Sequence, residues 1–203
     1  MGWKQPHMAP KDKLLFLKYL KNASVYFEYG SGGSTYVASI SPNLKQIYSV
    51  ESDLKFLNKL NKFIEDATKN LEEHPTLSWL YIELGTKYGD WGQPHKNCPE
   101  HSKKSYSSQL GNLKKPERDK IDLILIDGRF RTASCLKCFK YIKDDCVVIF
   151  DDFLNRTHCY GVVLEYYDII EKTEDNRLVV LKKKPNIQSI PIDVIQKYEL
   201  EKS

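Results

Sequence analysis

The sequence predicts an α/β fold: a mainly parallel sheet with helices on both of its faces. Three observations predict it. Apolar runs that suit strands alternate along the chain with segments of helical spacing. A glycine-rich turn, Gly30-Ser31-Gly32-Gly33, follows the run Val25–Phe27 and Glu28, and a helix-like segment opens at Ser34. Two further runs, Ile121–Ile126 and Cys146–Phe150, are almost unbroken in apolar residues, as parallel strands covered on both faces are, and each leads into an acid.

Residues 1–10 read as irregular, with Pro6 and Pro10 as breakers. Asp12 caps a helix over Lys13–Leu20 whose apolar side is Leu14, Leu15, Leu17 and Leu20. His7 and Met8 precede it and either line the mouth of a site or are simply exposed. A strand at 24–29 leads through the glycine turn to a helix at 34–40, which stops before Pro42. A strand at 46–50 ends in Glu51, and Asp53 caps a helix over 53–69 with Leu54, Leu57, Leu60 and Ile64 at helical spacing. Leu77–Glu83 is the third strand. Residues 84–119, rich in Gly and Pro, form a long loop or insertion, and the part at 100–118 reads as a mobile lid or an acceptor-binding segment. The fourth strand, 121–126, ends in Asp127-Gly128-Arg129; a helix at 131–142 follows, and the fifth strand, 146–150, ends in Asp151-Asp152. A helix at 158–167 and strands at 169–173 and 178–182, joined around Glu174–Arg177, close the core. The tail, 185–203, holds a short amphipathic stretch after Pro191 whose packing stays open. One domain, residues 1–203 with its core at 12–183, is the expected organisation.

Composition bounds the function. Hydrophobic residues at 41% and charged residues at 29% suit a soluble globular chain. No run approaches the roughly eighteen apolar residues of a membrane span, and the N-terminus lacks the apolar core of a signal peptide. The net charge of +4 permits an anionic partner without demanding nucleic acid. Lysines and arginines gather at 103–104, 114–120 and 182–184, either as solvated charge or as a surface for an anionic acceptor. Five cysteines are an odd number, and Cys135-x-x-Cys138 has no matching second pair, so the cysteines read as reduced or structural and the compartment as the cytoplasm.

The glycine turn allows a ligand to lie against the main chain, and the helix behind it offers unpaired N–H groups. Glu51, at the end of the second strand, is placed to bind ribose hydroxyls. Both NAD and S-adenosylmethionine carry that ribose. The acid at Glu28 separates them, because it repels a pyrophosphate but favours the amino group of a methionine moiety. Trp91 and Asp90, in the stretch Lys87–Pro94, either help bind adenine and frame an acceptor or, for the tryptophan, pin the loop to the core.

With FEYGSGG at 27–33, YSVES at 48–52, IDLILIDG at 121–128 and VVIFDD at 147–152 in this order, the chain resembles the class I S-adenosylmethionine-dependent methyltransferases. The resemblance spans about residues 12–183 and implies their Rossmann-like, seven-stranded, mostly parallel sheet, with an antiparallel strand in the last pair and the helix near the N-terminus closing over the cofactor. It implies that Gly30, Ser31, Gly32, Gly33 and Ser34 floor the S-adenosylmethionine site, that Glu28 lies near its methionine end, that Glu51 holds the ribose, and that Ser52 lies beside the adenine with Asp90, Trp91 and Asp127 close by. Asp127 is the first candidate for the base that accepts a hydroxyl proton, with His158 as the alternative. Asp127, Asp151 and Asp152 also resemble the carboxylates that hold Mg²⁺ or another divalent cation in metal-dependent O-methyltransferases. The catechol type has Asp-Asn where Asp151-Asp152 stands; the macrolide-sugar type more often shows Asp-Asp. Arg129, Arg131 and Trp91 are candidates to hold the acceptor, and Arg156 flanks them.

The strand-four residues read Ile-Asp-Gly-Arg rather than the Asn-Pro-Pro-Tyr type of amino-methylating DNA enzymes, which argues for oxygen methylation of a small molecule or glycan. The GSGGST, DGR and FDD motifs are similar to those of bacterial and large-virus enzymes of polysaccharide synthesis, which implies a sugar acceptor, a domain of a viral glycan-building enzyme and a location in the host cytoplasm. A catechol-like acceptor, an RNA acceptor and a catalytically silent or nicotinamide-binding module are the competing readings. The sequence leaves the oligomeric state open.

Overall fold

The computed structural model describes residues 2–173 and 177–201. Its strands are β1 (Val25–Tyr29), β2 (Gln46–Glu51), β3 (Thr76–Tyr81), β4 (Leu123–Ile126), β5 (Val147–Phe150), β6 (Tyr167–Lys172) and β7 (Val179–Lys183). They form one seven-stranded sheet in the order β3-β2-β1-β4-β5-β7-β6. The first five are parallel, and β7 is antiparallel to both β5 and β6. All residues of β1 and β4 are buried, so their near-continuous apolar runs are explained by cover on both faces.

The helices are α1 (Pro10–Leu20), α2 (Gly33–Ser39), α3 (Leu54–Thr68), α4 (Glu100–Ser107), α5 (Gln109–Asn112), α6 (Lys115–Arg118), α7 (Arg131–Cys138), α8 (Thr157–Tyr160) and α9 (Ile192–Tyr198). On one face α1 presents Leu15, Phe16 and Leu20 to Tyr26, Ile47, Leu125 and Ile149. On the other, α4, α5 and α7 cover Phe27, Tyr29, Ile124, Ile126 and Phe150. The Asp53 side chain accepts the backbone N–H of Phe56 at 2.9 Å and caps α3, as its sequence position predicts. Leu54, in the first turn, is exposed instead of joining the apolar stripe.

Three expectations are corrected. Asp12 does not cap α1; it sits inside the helix, buried, and accepts the Thr173 hydroxyl, while Leu14 faces solvent. Residues 100–118 form α4, α5 and α6, not an irregular lid, and they are fixed to the sheet. Tyr29 donates its hydroxyl to the Ser107 carbonyl (3.1 Å), Leu110 N–H donates to the Tyr29 hydroxyl (3.4 Å), and Tyr106 is fully buried. The helix expected at 158–167 breaks into α8 and a 3-10 turn at Gly161–Glu165. Of the turn expected around Glu174–Arg177, residues 174–176 lie outside the described residues. The tail packs on the domain: α9 lays Val194, Ile195 and Tyr198 against the core, and Glu199 pairs with Lys137 at 2.6 Å.

Candidate active site

The strand order turns between β1 and β4, and in open α/β sheets a crevice opens at that point outside the carboxyl ends. Ladder bonds set the ends at one level. Gly30 N–H donates to the Val50 carbonyl (3.0 Å), Asp127 N–H to Tyr29 (3.0 Å) and Asp151 N–H to Ile126 (3.1 Å). Gly30 has φ +91°, and a Cβ there would stand 2.6 Å from Gly128 Cα. A Cβ on Gly128 would stand 2.1 Å from the Tyr106 hydroxyl oxygen. The two glycines therefore let the ends of β1 and β4 touch under Tyr106. Gly32 is different: nothing lies within 4 Å of where its Cβ would be.

Above these ends lies a cavity of about 710 Å³. Of the residues expected from the sequence, Gly30, Ser31, Gly32, Gly33, Ser34, Glu51, Ser52, Trp91, Asp127, Arg129, Arg131, Asp151 and Asp152 line it. Glu28, Asp90 and His158 do not. Asp90 and His158 are exposed and lie outside this lining. Sequence position fixes which loop carries a residue but not which way the loop turns it.

Glu51 has the geometry of a fixed acceptor. One carboxylate oxygen takes the backbone N–H groups of Ser52 (2.6 Å) and Asp53 (2.8 Å); the other takes the Ser31 hydroxyl. The side chain is thus tied to the glycine turn and to the start of α3 while it faces the cavity. Burial raises its pKa, and those donors oppose the rise. Thr86 donates its hydroxyl to that of Ser52 at 3.4 Å.

Glu28 lies beneath the floor, wholly buried. Four hydroxyls donate to it: Tyr26 (2.8 Å) and Ser34 (2.7 Å) to one oxygen, Ser49 (2.7 Å) and Thr35 to the other. Burial lifts its pKa to about 7 against the effect of those donors. Glu28 does not line the cavity itself. Ser34 and Thr35 open α2, so Glu28 sets the shape of the turn from below.

The far end of the cavity is charged. The Arg131 guanidinium is buried and forked, donating to the carbonyls of Gly128 (3.0 Å), Asp151 (2.9 Å) and Asp127 (3.2 Å) and pairing with Asp127 Oδ1 at 2.8 Å. It ties the ends of β4 and β5 together. Burial raises the Asp127 carboxyl and Arg131 opposes the rise. Burial, then repulsion from Asp127 and Asp152, pushes Asp151 to about 8, and its Oδ1 is buried without a hydrogen-bond partner. Asp152, at φ +58°, faces Arg156 at 3.3 Å and Arg177 at 3.7 Å.

These carboxylates do not fit the expected metal set. Among the described residues, no group of three or more His, Cys, Asp or Glu side chains is placed to hold a metal ion. The Asp127 and Asp152 carboxylates face guanidiniums instead, Arg131 from the first turn of α7 being the nearest to Asp127.

The rim comes from two segments. Residues 2–9 cross the cavity as a strap: Trp3 meets Phe56 and Phe63 edge-on, both with centroids 5.6 Å apart. A Cβ on Gly33 would stand 1.9 Å from the Gln5 carbonyl oxygen, so that glycine admits the strap. His7 lines the mouth and is exposed, with its ring 5.3 Å from that of Trp91. Trp91 is 73% exposed and pins nothing to the core; its carbonyl instead accepts Nε of Arg129 at 3.0 Å. Trp3, Phe56, Tyr88, Tyr106 and Arg177 line the cavity without having been singled out in the sequence. Phe56, two residues on from the apolar position Leu54 and off the Leu57-Leu60-Ile64 stripe, was the one detectable signal.

No family model matches the sequence, and no curated protein matches it. Solved structures do. A methyltransferase-like protein from Silicibacter pomeroyi aligns with a TM-score of 0.81 and 27% identity over 96% of each chain. An O-methyltransferase from Bacillus cereus in complex with SAH aligns at 0.54 and 15% identity, over 89% of this chain and 85% of that one. A putative caffeoyl-CoA O-methyltransferase from Staphylococcus aureus aligns at 0.53 and 18% identity, over 89% and 87%. The chain has the fold of the class I methyltransferases.

Proposed function

We propose that this chain is an S-adenosylmethionine-dependent methyltransferase that methylates a hydroxyl of a small molecule, a sugar or glycan being the acceptor its motifs favour. The observation that carries the reading is Glu51, a carboxylate held by three donors at the end of β2 and facing the cavity beside the open Gly32. That pair fits a ribose lying against a glycine turn. The solved structures that this chain resembles include a methyltransferase-like protein and an O-methyltransferase in complex with SAH, so the nicotinamide reading is the weaker one.

The methyl donor, when bound, supplies an electrophilic methyl group on a sulfonium. The chain's share is to position the acceptor and to take its proton. Holding two reactants in line is the larger lever in such a displacement. As the acceptor oxygen gains the methyl group, its proton passes to a carboxylate. Asp151 suits this better than Asp127. Asp151 lines the cavity, Asp127 is held by Arg131, and a base whose pKa lies near neutral is well matched to the task. The acceptor hydroxyl then points at the ends of β4 and β5, with Trp91 and His7 over it.

Thermal unfolding with S-adenosylhomocysteine, and in parallel with NAD, tests the reading. At about a hundred times its dissociation constant, a ligand adds about 2.7 kcal/mol, which raises the midpoint of a chain this size by roughly 5–10 °C. A rise with S-adenosylhomocysteine alone is expected. A rise with NAD alone, or none, overturns the reading.

A further inference from the structure

We propose that the acceptor carries an anionic group, and that Arg156 and Arg177 hold it. The inference rests on the methyltransferase reading only in calling this end of the cavity the acceptor's. The observation itself is an excess of guanidinium. Arg129, Arg131, Arg156 and Arg177 all line the cavity; Arg131, Arg156 and Arg177 gather about Asp127 and Asp152, while Arg129 lies beside Gly92. Arg131 is committed to the backbone and to Asp127, as its buried fork shows. Arg129 directs its side chain to a neutral acceptor, the Trp91 carbonyl. Arg156 and Arg177 approach opposite oxygens of one carboxylate, Asp152, at 3.3 and 3.7 Å. Neither is bidentate there. The other nitrogen of Arg156 donates to the Tyr160 hydroxyl at 3.5 Å.

Both side chains stay partly open, Arg156 43% exposed and Arg177 59%, and both face the cavity. Each keeps N–H groups that a phosphate or carboxylate accepts through two oxygens. Asp152 offers one carboxylate to two guanidiniums, and a second anion balances the charge that it leaves. The hydroxyl to be methylated would then sit between this anion site and the methyl donor. A phosphorylated or nucleotide-linked sugar and an acidic sugar both have this chemistry.

The test uses the full chain saturated with S-adenosylhomocysteine and, separately, free of it. Inorganic phosphate, and in a second arm acetate, is added at constant ionic strength, and the thermal midpoint is followed. The expected result is a saturable rise in the presence of S-adenosylhomocysteine. In Arg156→Gln and Arg177→Gln the apparent dissociation constant for the anion rises about tenfold each, as the loss of one charged hydrogen bond implies. The affinity for S-adenosylhomocysteine is unchanged in both. Phosphate favoured over acetate names a phosphoryl group on the acceptor; equal effects name a carboxylate. The proposal is overturned if neither anion raises the midpoint, if both variants respond as the parent does, or if phosphate competes with S-adenosylhomocysteine, which would make this the donor's carboxylate site. Failure of S-adenosylhomocysteine to bind counts against the methyltransferase reading, and the titration of the unliganded protein still decides the anion site.

Discussion

At Asp151, burial sets a stability that depends on pH. Its folded pKa, about 8 through burial and the repulsion of Asp127 and Asp152, stands far above the value of about 3.9 in an unfolded chain. Between those two values the folded protein holds a proton that the unfolded chain has released. Stability from this group is therefore complete below about pH 4, falls as pH rises to about 8, and is flat above it. Asp151→Asn removes that slope. The difference in thermal midpoint between Asp151→Asn and the parent should grow in the variant's favour from pH 5 to pH 8; a constant gap means that Asp151 titrates normally. Methyl transfer by the parent should rise over the same window as the carboxylate forms, and Asp151→Asn should lose most of it. Glu28 makes the opposite point. Glu28→Ala strands hydroxyl donors of Tyr26, Ser34, Thr35 and Ser49 around an empty volume. Each unmet buried group costs about 1–3 kcal/mol, so equilibrium unfolding in urea should show a loss of at least that size. An unchanged midpoint would mean that water or a rearranged turn replaces the carboxylate.

At the scale of elements, the glycine turn and its neighbours divide into space for the chain and space for a ligand. Gly128→Ala drives a methyl group onto the Tyr106 hydroxyl and the Gly30 backbone, so it should destabilise by about 1–3 kcal/mol, as overpacking does. Gly32→Ala meets nothing within 4 Å, so the thermal midpoint should hold while the affinity for S-adenosylhomocysteine drops. The reverse pattern would mean that the ligand does not lie against this turn. The strands and α3 were legible in the sequence because burial on both faces leaves a short unbroken apolar run and a half-buried helix leaves an apolar stripe. Helices α4 to α6 were not. Their fixing rests on Tyr106, Leu110 and the carbonyl of Ser107, and the other positions are polar or charged residues with Gly111 and Pro116, as in a loop. Gly161 hid the break after α8 inside a pattern that otherwise continues.

For the whole molecule, the alternation of strands and helices was enough to place the acids at one edge of the sheet, because parallel strands joined by crossovers all end on the same side. Glu51, Asp127, Asp151 and Asp152 meet there in one cavity, as their strand ends dictate. What the sequence left hidden is rotation and partnership. Arg131 turned inward to bind the strand ends, Asp90 and His158 lie outside the cavity lining, and Arg177 arrived from beyond β6 to face Asp152. The strap at residues 2–9 was also hidden, since Trp3 and Pro6 carry no periodic signal. The central claim is that this edge holds a methyl donor with Glu51 on its ribose. Titration calorimetry of S-adenosylhomocysteine into the parent and into Glu51→Ala tests it most directly. The account predicts binding to the parent and an affinity about ten- to a hundredfold weaker in Glu51→Ala, the worth of a charged hydrogen bond. Equal affinity in the two proteins would contradict it.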